Sequence, residues 1–411
     1  LRLLAGRYEL VRVAGRGAFS VTWAAHDRYR AHGASPPPGA DAPCATHLVA
    51  LKIVHADAWE AAADELRILE RLRTGRCIGA GAAPVDAACH AALRDSALLR
   101  SFGHFRAGPH VVLVCELLEH VPRAALAAHC ASRRAALGLL RCAAHSLSVA
   151  LHFLHAHHRC LHADVKGPNV LFCARTGLFK LIDYGNAIPL AQTRRYHDCF
   201  EVASAAYRAP ELLVGSSAGF DEAVDWWALG CTLTEMVLQQ PLFAGLSASA
   251  NVDAGSGVDA GSGVDAGTDG VGPSTDGVDG STDGVGPSTD GVSVTAPASS
   301  PDPYSRPPSH CHHILHHIQS LFGSLTPLFP APCLFPERLA PLPPASAPFP
   351  ALLGLPARAR LLAQILRLED ADFADFLARL LEPDPRVRLR GGAALRHRFL
   401  LPLQPALLLL K

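Results

Sequence analysis

His162-Ala163-Asp164-Val165-Lys166-Gly167-Pro168-Asn169 is followed, twelve residues beyond Asn169, by Leu181-Ile182-Asp183-Tyr184-Gly185. The first segment offers a carboxylate, an ammonium two positions on, and an amide three positions after that. The second offers another carboxylate, set behind an apolar strand and followed by a glycine that lets the chain turn. Phosphoryl transfer from a nucleotide calls for such a set: a carboxylate to orient the hydroxyl, a cation for the moving phosphoryl, and oxygen ligands for a divalent metal.

The spacing resembles the catalytic loop of protein kinases followed by their metal-binding Asp-Phe-Gly segment. The resemblance implies an α+β fold of two lobes, a small β-rich N-lobe and a larger, mainly helical C-lobe, working with ATP and Mg²⁺. On it, Asp164 is the candidate base that orients the substrate hydroxyl and Lys166 the cation that neutralises the γ-phosphoryl. Asn169 and Asp183 are the candidate metal ligands, and Leu171 is the expected floor beneath the adenine. A lone loop aspartate more often caps backbone amides. Four such groups at these intervals, behind a lysine-bearing strand, do not fit that use.

Upstream, Tyr8-Glu9-Leu10-Val11-Arg12-Val13 alternates as a strand. Gly15, Gly17, Phe19, Ser20 and Val21 form a turn in which two glycines let the backbone approach phosphates and Phe19 caps them from the tip. A third glycine is usual where Ser20 stands. Residues 30–47 are rich in Pro, Gly and Ala and read as a surface insertion. Val49-Ala50-Leu51-Lys52-Ile53-Val54 follows, an apolar strand interrupted by one lysine, which is costly unless paired or at an edge. The next helix, from about Trp59 to Arg73, buries Leu66, Ile68, Leu69 and Leu72. Glu65 beside that face is the candidate partner of Lys52, with Glu60 and Glu70 as competitors. Ala50 and Lys52 then belong to the nucleotide site, and Glu116 and Leu118 to the hinge that pairs with adenine. Cys115, just before the hinge, predicts an open cavity at the rear.

Beyond the catalytic loop, Ser204-Ala205-Ala206-Tyr207-Arg208-Ala209-Pro210-Glu211 closes the loop that begins at Asp183. Ser204 is placed to hydrogen-bond Asp164 and Lys166, and Glu211 needs a buried partner, for which Arg388 is the natural choice. The run from Asp225 to Val237 is apolar nearly all round and reads as a helix buried on every side, with Asp225 accepting amides of the catalytic loop. These residues, with the run from Gly230 to Gly245, are similar to the CMGC group of kinases. His162-Ala163-Asp164 and Phe19-Ser20 look most like the pre-mRNA-processing and dual-specificity tyrosine-regulated branch. Three departures stand out: Ala163 replaces an arginine that grips an activation-loop phosphate, Glu201 falls where those relatives carry an activating tyrosine, and Gly167-Pro168 replaces the usual Pro-Glu, with Tyr184 for Phe.

The chain has 411 residues, 49% of them hydrophobic, and a formal net charge of +0, so no global field points to nucleic acid or an anionic membrane. Its 12 cysteines include no C-x-x-C pair, which argues against a zinc ribbon or disulfide framework and for an intracellular setting, nucleus or cytoplasm. It begins at Leu1 rather than Met, as an excised fragment would, and no apolar run reaches the length of a membrane span. The expected units are an N-lobe over 1–115, the catalytic part of the C-lobe over 116–246, an acidic low-complexity insertion over 247–309 that reads as disordered, and the rest of the C-lobe over 310–411 with a Pro-rich loop at 327–357. Histidine pairs at 312/316 and 313/317 read as a solvated face rather than a metal site. The expected activity is transfer of the γ-phosphoryl of ATP to Ser or Thr of protein substrates, with Tyr left open, by a monomeric domain that binds neither nucleic acid nor membrane. The rivals are a pseudokinase scaffold and a small-molecule kinase on a similar core.

Overall fold

Alternating apolar residues in the N-terminal third build one six-stranded antiparallel sheet. Its strands are β1 (Leu3–Leu4), β2 (Tyr8–Arg16), β3 (Ser20–Asp27), β4 (Leu48–Val54), β5 (Ser101–Ala107) and β6 (His110–Glu116), in the order β1-β2-β3-β4-β6-β5. Side chains on a strand alternate between faces. Val49 and Leu51 accordingly join Tyr8, Ala25, Val112 and Val114 in an outer cluster, while Ala50 and Val54 join the main core. The computed structural model describes residues 3–17, 19–31, 48–75, 98–120, 133–196, 202–243, 310–329, 333–342 and 348–401. The insertion 247–309, most of the 30–47 segment, Glu201 and residues 402–411 therefore lie outside the described residues, as does part of the Pro-rich 327–357 stretch.

Helix α1 (Trp59–Thr74) packs on β5 and β6 through Ile68, Leu69 and Leu72, the face expected from its periodicity. It ends at Gly75 with φ 71°, a left-handed cap that glycine adopts without a Cβ penalty.

The second lobe is helical. Its long helix α2 (Arg133–His157) leads through the short strand β7 (Cys160–Leu161) into the catalytic loop, and β8 (Val170–Cys173) pairs with β9 (Leu178–Leu181) just beyond it. One expectation needs correcting here. Ala136–His157 is long and apolar enough to cross a membrane by composition, but 61% of that window is buried inside the protein, as befits a lobe's inner helix. The strand β10 (Ile188–Pro189) pairs back on β7. Then follow α3 (Pro210–Val214), α4 (Ala223–Leu238), α5 (His310–Phe322), α6 (Leu355–Leu366), α7 (Ala371–Leu380) and α8 (Gly391–Leu395).

Helix α4 is buried along its first three turns, and Trp226 and Trp227 are fully enclosed. Around it sits a buried ion pair: the Arg388 guanidinium donates to both Glu211 oxygens at 2.7 and 3.0 Å. Its remaining N–H groups go to the carbonyls of Ala223, Glu382 and Pro383, and its plane lies 5.2 Å over the Trp227 ring. A guanidinium with every donor satisfied is tolerated in a core, but removing it strands a carboxylate. Replacing Arg388 with Met is expected to lower stability by about 3–5 kcal/mol in urea unfolding, whereas a loss under about 1 kcal/mol would show that Glu211 finds another partner.

Candidate active site

Lys52 lies inside the sheet, opposite Thr22 of β3 on one side and Leu113 of β6 on the other, so it is not an edge lysine. Its Nζ donates to both oxygens of Glu65 on α1, at 2.9 and 2.7 Å, and to Oδ1 of Asp183 at 3.3 Å. Burial disfavours the ammonium, but Glu65 and then Asp183 outweigh it and raise the Lys52 pKa above its ordinary value. Of the competitors of Glu65, Glu70 is turned outward onto Arg73 at 2.7 and 2.9 Å, and the Glu60 side chain lies outside the described residues.

These groups open onto a cavity of roughly 320 Å³ between the two lobes. Gly15, Gly17 and Ser20 roof it, and Ala50 and Lys52 form its inner wall. Glu116 and Leu118 edge it, and Leu171 lines it from the β8 side. The Glu116 carboxylate is turned to Lys180 and to the Arg100 N–H rather than into the cavity. Cys115 lies at the rear with Leu69 and Leu113, its thiol pushed up by burial to about 12.

Two expectations are corrected. Val21 does not line the cavity; Ser20 and Thr22 do. In a strand, neighbours point to opposite faces, so Val21 between them looks away. Phe19 does not cap the cavity either: it is 64% exposed beside the tight turn in which the Gly17 N–H meets the Ser20 carbonyl at 2.9 Å.

Next to Asn169, which lines the cavity, Asp164 is the hub of a polar cluster. Ser204 Oγ donates to its Oδ1 at 2.8 Å, Lys166 Nζ approaches its Oδ2 at 2.9 Å, and Asn169 Nδ2 donates to the same oxygen at 3.0 Å and to the Asp164 carbonyl at 2.9 Å. Lys166 also donates to Ser204 Oγ at 2.9 Å. Burial works to raise the Asp164 pKa, but the Lys166 and Ser204 contacts overcome it and hold the carboxyl below the ordinary range. Beneath the loop, Asp225 at the start of α4 accepts the backbone N–H groups of His162 and Ala163 at 2.8 and 2.9 Å and bonds His155 Nε2 at 2.8 Å. His162 Nε2 reaches the Ile182 carbonyl at 3.0 Å, tying the loop to the segment of Asp183. Ala163 and Asp183 have φ of 61° and 65°, left-handed conformations uncommon for residues with a Cβ, held here by these contacts. Asn169 and Asp183 both line the cavity, and Ile182 N–H donates to the Asn169 carbonyl at 2.9 Å. Together they offer the hard oxygen donors that a phosphate-bound divalent cation takes.

Thr22, Leu69, Leu99, Ile182 and His120 also line the cavity and were not anticipated. Thr22 was legible from strand parity once Ser20 was assigned to the loop.

Residues 82–259 match the protein kinase domain model. Similar proteins include cyclin-dependent kinase-like 4 of Mus musculus, 44% identical over 24% of this chain and 27% of the relative. Cyclin-dependent kinase-like 2 of Oryctolagus cuniculus is 44% identical over 23% of this chain and 16% of the relative. Cyclin-dependent kinase C-3 of Oryza sativa subsp. japonica is 40% identical over 23% of this chain and 28% of the relative. The chain thus spans about a quarter of the length of the curated relatives it matches, and less of some. Over residues 82–259 it is similar to protein kinase domains, its architecture fits the two-lobed α+β fold, and over part of its length it is similar to the cyclin-dependent-kinase-like proteins. The family match starts beyond Lys52 and Glu65, so their geometry is known from the structure alone.

A carboxyl held below its ordinary pKa stabilises the fold fully above the unfolded value, about 3.9, and that contribution disappears as pH falls through the folded value. Ser204→Ala removes one of the lowering contacts, so the Asp164 carboxyl carbon should titrate at higher pH by NMR than in the parent. No upward shift would show that the Ser204 bond does not bear on that charge.

Proposed function

We propose that the chain transfers the γ-phosphoryl of Mg-ATP to Ser or Thr of protein substrates. The observation that supports this most strongly is the meeting of Lys52, Glu65 and Asp183 in a cavity that Asn169 also lines, with Asp164, bonded to Asn169, tied in turn to Lys166 and Ser204. The cavity roof of Gly15 and Gly17 lets backbone amides approach phosphates. Lys52, held by Glu65, binds the α- and β-phosphates. Asn169 and Asp183 would hold Mg²⁺: the Asn169 amide nitrogen is committed to Asp164, which leaves its oxygen as an acceptor, and a metal that keeps waters and phosphate oxygens needs few protein ligands. When bound, Mg²⁺ supplies charge neutralisation along the phosphates.

Asp164 orients the acceptor hydroxyl and accepts its hydrogen bond, while Lys166 stands beside it for the transferred group. Ser204 binds both, so the segment that meets a protein substrate is fastened to the groups that act on it. The Arg208 Nε donates to the carbonyls of Val202 and Ala203 at 3.0 and 2.8 Å, and Ala203 has φ 63°. Those carbonyls are spent internally, so an N–H on the substrate residue after the acceptor loses a partner, and proline, which has none, loses nothing. We therefore propose a preference for proline after the acceptor. His162-Ala163-Asp164 supports kinship with the pre-mRNA-processing branch, and with it nuclear protein substrates.

With a generic basic protein and Mg-ATP, Asp164→Asn should lower kcat by about 10²–10⁴-fold with little change in KM for ATP. Nucleotide binding without transfer to any protein would leave a binding scaffold instead. A Ser-Pro peptide should exceed its Ser-Ala counterpart in kcat/KM by about five- to hundredfold, from the roughly 1–3 kcal/mol of an unpaired N–H, and Arg208→Ala should narrow the gap. Equal rates would remove the proline proposal and leave the kinase reading intact.

A further inference from the structure

Beyond the groups that meet nucleotide and acceptor, we propose that Glu235 is a positioning residue for the catalytic loop, acting through the backbone N–H of Gly167; this rests on the kinase reading above. Glu235 stands on α4, ten residues after Asp225, or about 15 Å along the helix. Asp225 fastens the start of the loop by two backbone amides. Glu235 fastens the far side of Lys166: its Oε2 accepts the Gly167 N–H at 3.3 Å and the Tyr207 hydroxyl at 2.8 Å. One carboxylate oxygen thus joins the residue after Lys166 to the segment that carries Ser204. Lys166 is held from two directions, by Ser204 through its ammonium and by Glu235 through the next peptide unit.

The identity of residue 167 follows from this contact. Gly167 does not have a positive φ, so no backbone conformation demands glycine there. Space does: a Cβ would meet Glu235 Oε2 at 2.6 Å, Cδ at 3.0 Å and Oε1 at 3.1 Å. The obstacle is the end of a flexible side chain, so a larger residue would displace the carboxylate rather than the loop. The proline usual at this position in protein kinases has no N–H to give. In this chain the ring has moved one place on, to Pro168 in the turn Gly167–Asn169, and a hydrogen bond to a buried helix stands in its place. A group that holds an active-site peptide in place affects turnover steeply, because a misplacement of about 1 Å can cost 10²-fold.

The test uses the full chain as Glu235→Ala, Glu235→Gln, Gly167→Ala and the Glu235→Ala/Gly167→Ala pair. Glu235→Ala and Gly167→Ala should each lower kcat about ten- to hundredfold, with KM for ATP within about twofold and the melting temperature unchanged. The double variant should be no worse than either single one, as expected of partners in one contact. Glu235→Gln, which keeps an acceptor oxygen, should recover most of the turnover. Independently of any activity, hydrogen exchange of the 162–169 peptide should quicken in Glu235→Ala and not in Glu235→Gln. Additive losses, a loss confined to KM or melting temperature, or unchanged exchange in Glu235→Ala would overturn the proposal. If the unsubstituted chain transfers no phosphoryl group, the kinase reading fails, and the exchange result alone decides whether Glu235 holds the loop.

Discussion

One partly buried ammonium joins the parts of this molecule that matter for its chemistry. Lys52 is a charge placed in the middle of a sheet, where solvation is poor, and such a charge persists only if it is paired. Its partners come from two other elements, Glu65 from α1 and Asp183 from the segment after β9. The requirement therefore fixes the rotation of α1, which must present Glu65 inward, and the course of the chain at Asp183, which takes a left-handed backbone to reach the cleft. The two lobes share one continuous core, and this contact, which a phosphate chain can share, couples them further.

The catalytic loop depends on α4. Asp225, buried at the start of this helix, and Glu235, half-buried near its end, grip the catalytic loop at two points. Glu211 and Arg388 brace the neighbouring segment from below. The loop itself has little regular structure. Its precision comes from backbone amides docked onto the Asp225 and Glu235 carboxylates.

Much of this was legible in the sequence, for definable reasons. Lys52, Glu65, Asp164, Asn169 and Asp183 are ionic or polar residues at intervals that bland roles do not explain; Lys52, Glu65, Asn169 and Asp183 line one cavity, and Asp164 is bonded to Asn169. The pairing of Ser204 with Asp164 and Lys166 followed from the resemblance to kinases, while Glu211 with Arg388, and Asp225, could be paired because each is a polar group entering an apolar setting and needs a partner. Val21 was misassigned by one step of strand parity, where a single residue exchanges the two faces. Phe19 was misread because an exposed aromatic at a loop tip carries no packing signal. Helix α6 was not anticipated: its buried stripe runs Arg358, Leu362, Leu366, and an arginine at a core position hides the apolar period. Arg358 is tolerated there because Glu382 and the carbonyls of Leu353 and Ala378 take up its donors. The role of Gly167 was invisible, since nothing in the letters places Glu235 against it.

The most direct measurement is a crystal structure of the chain with Mg²⁺ and a non-hydrolysable ATP analogue. The expected result has the Lys52 ammonium within about 3 Å of a phosphate oxygen while still bonded to Glu65, and the metal on Asp183 and Asn169. A nucleotide bound away from Lys52, or an Asp183 that holds no metal with the triphosphate in place, would contradict it.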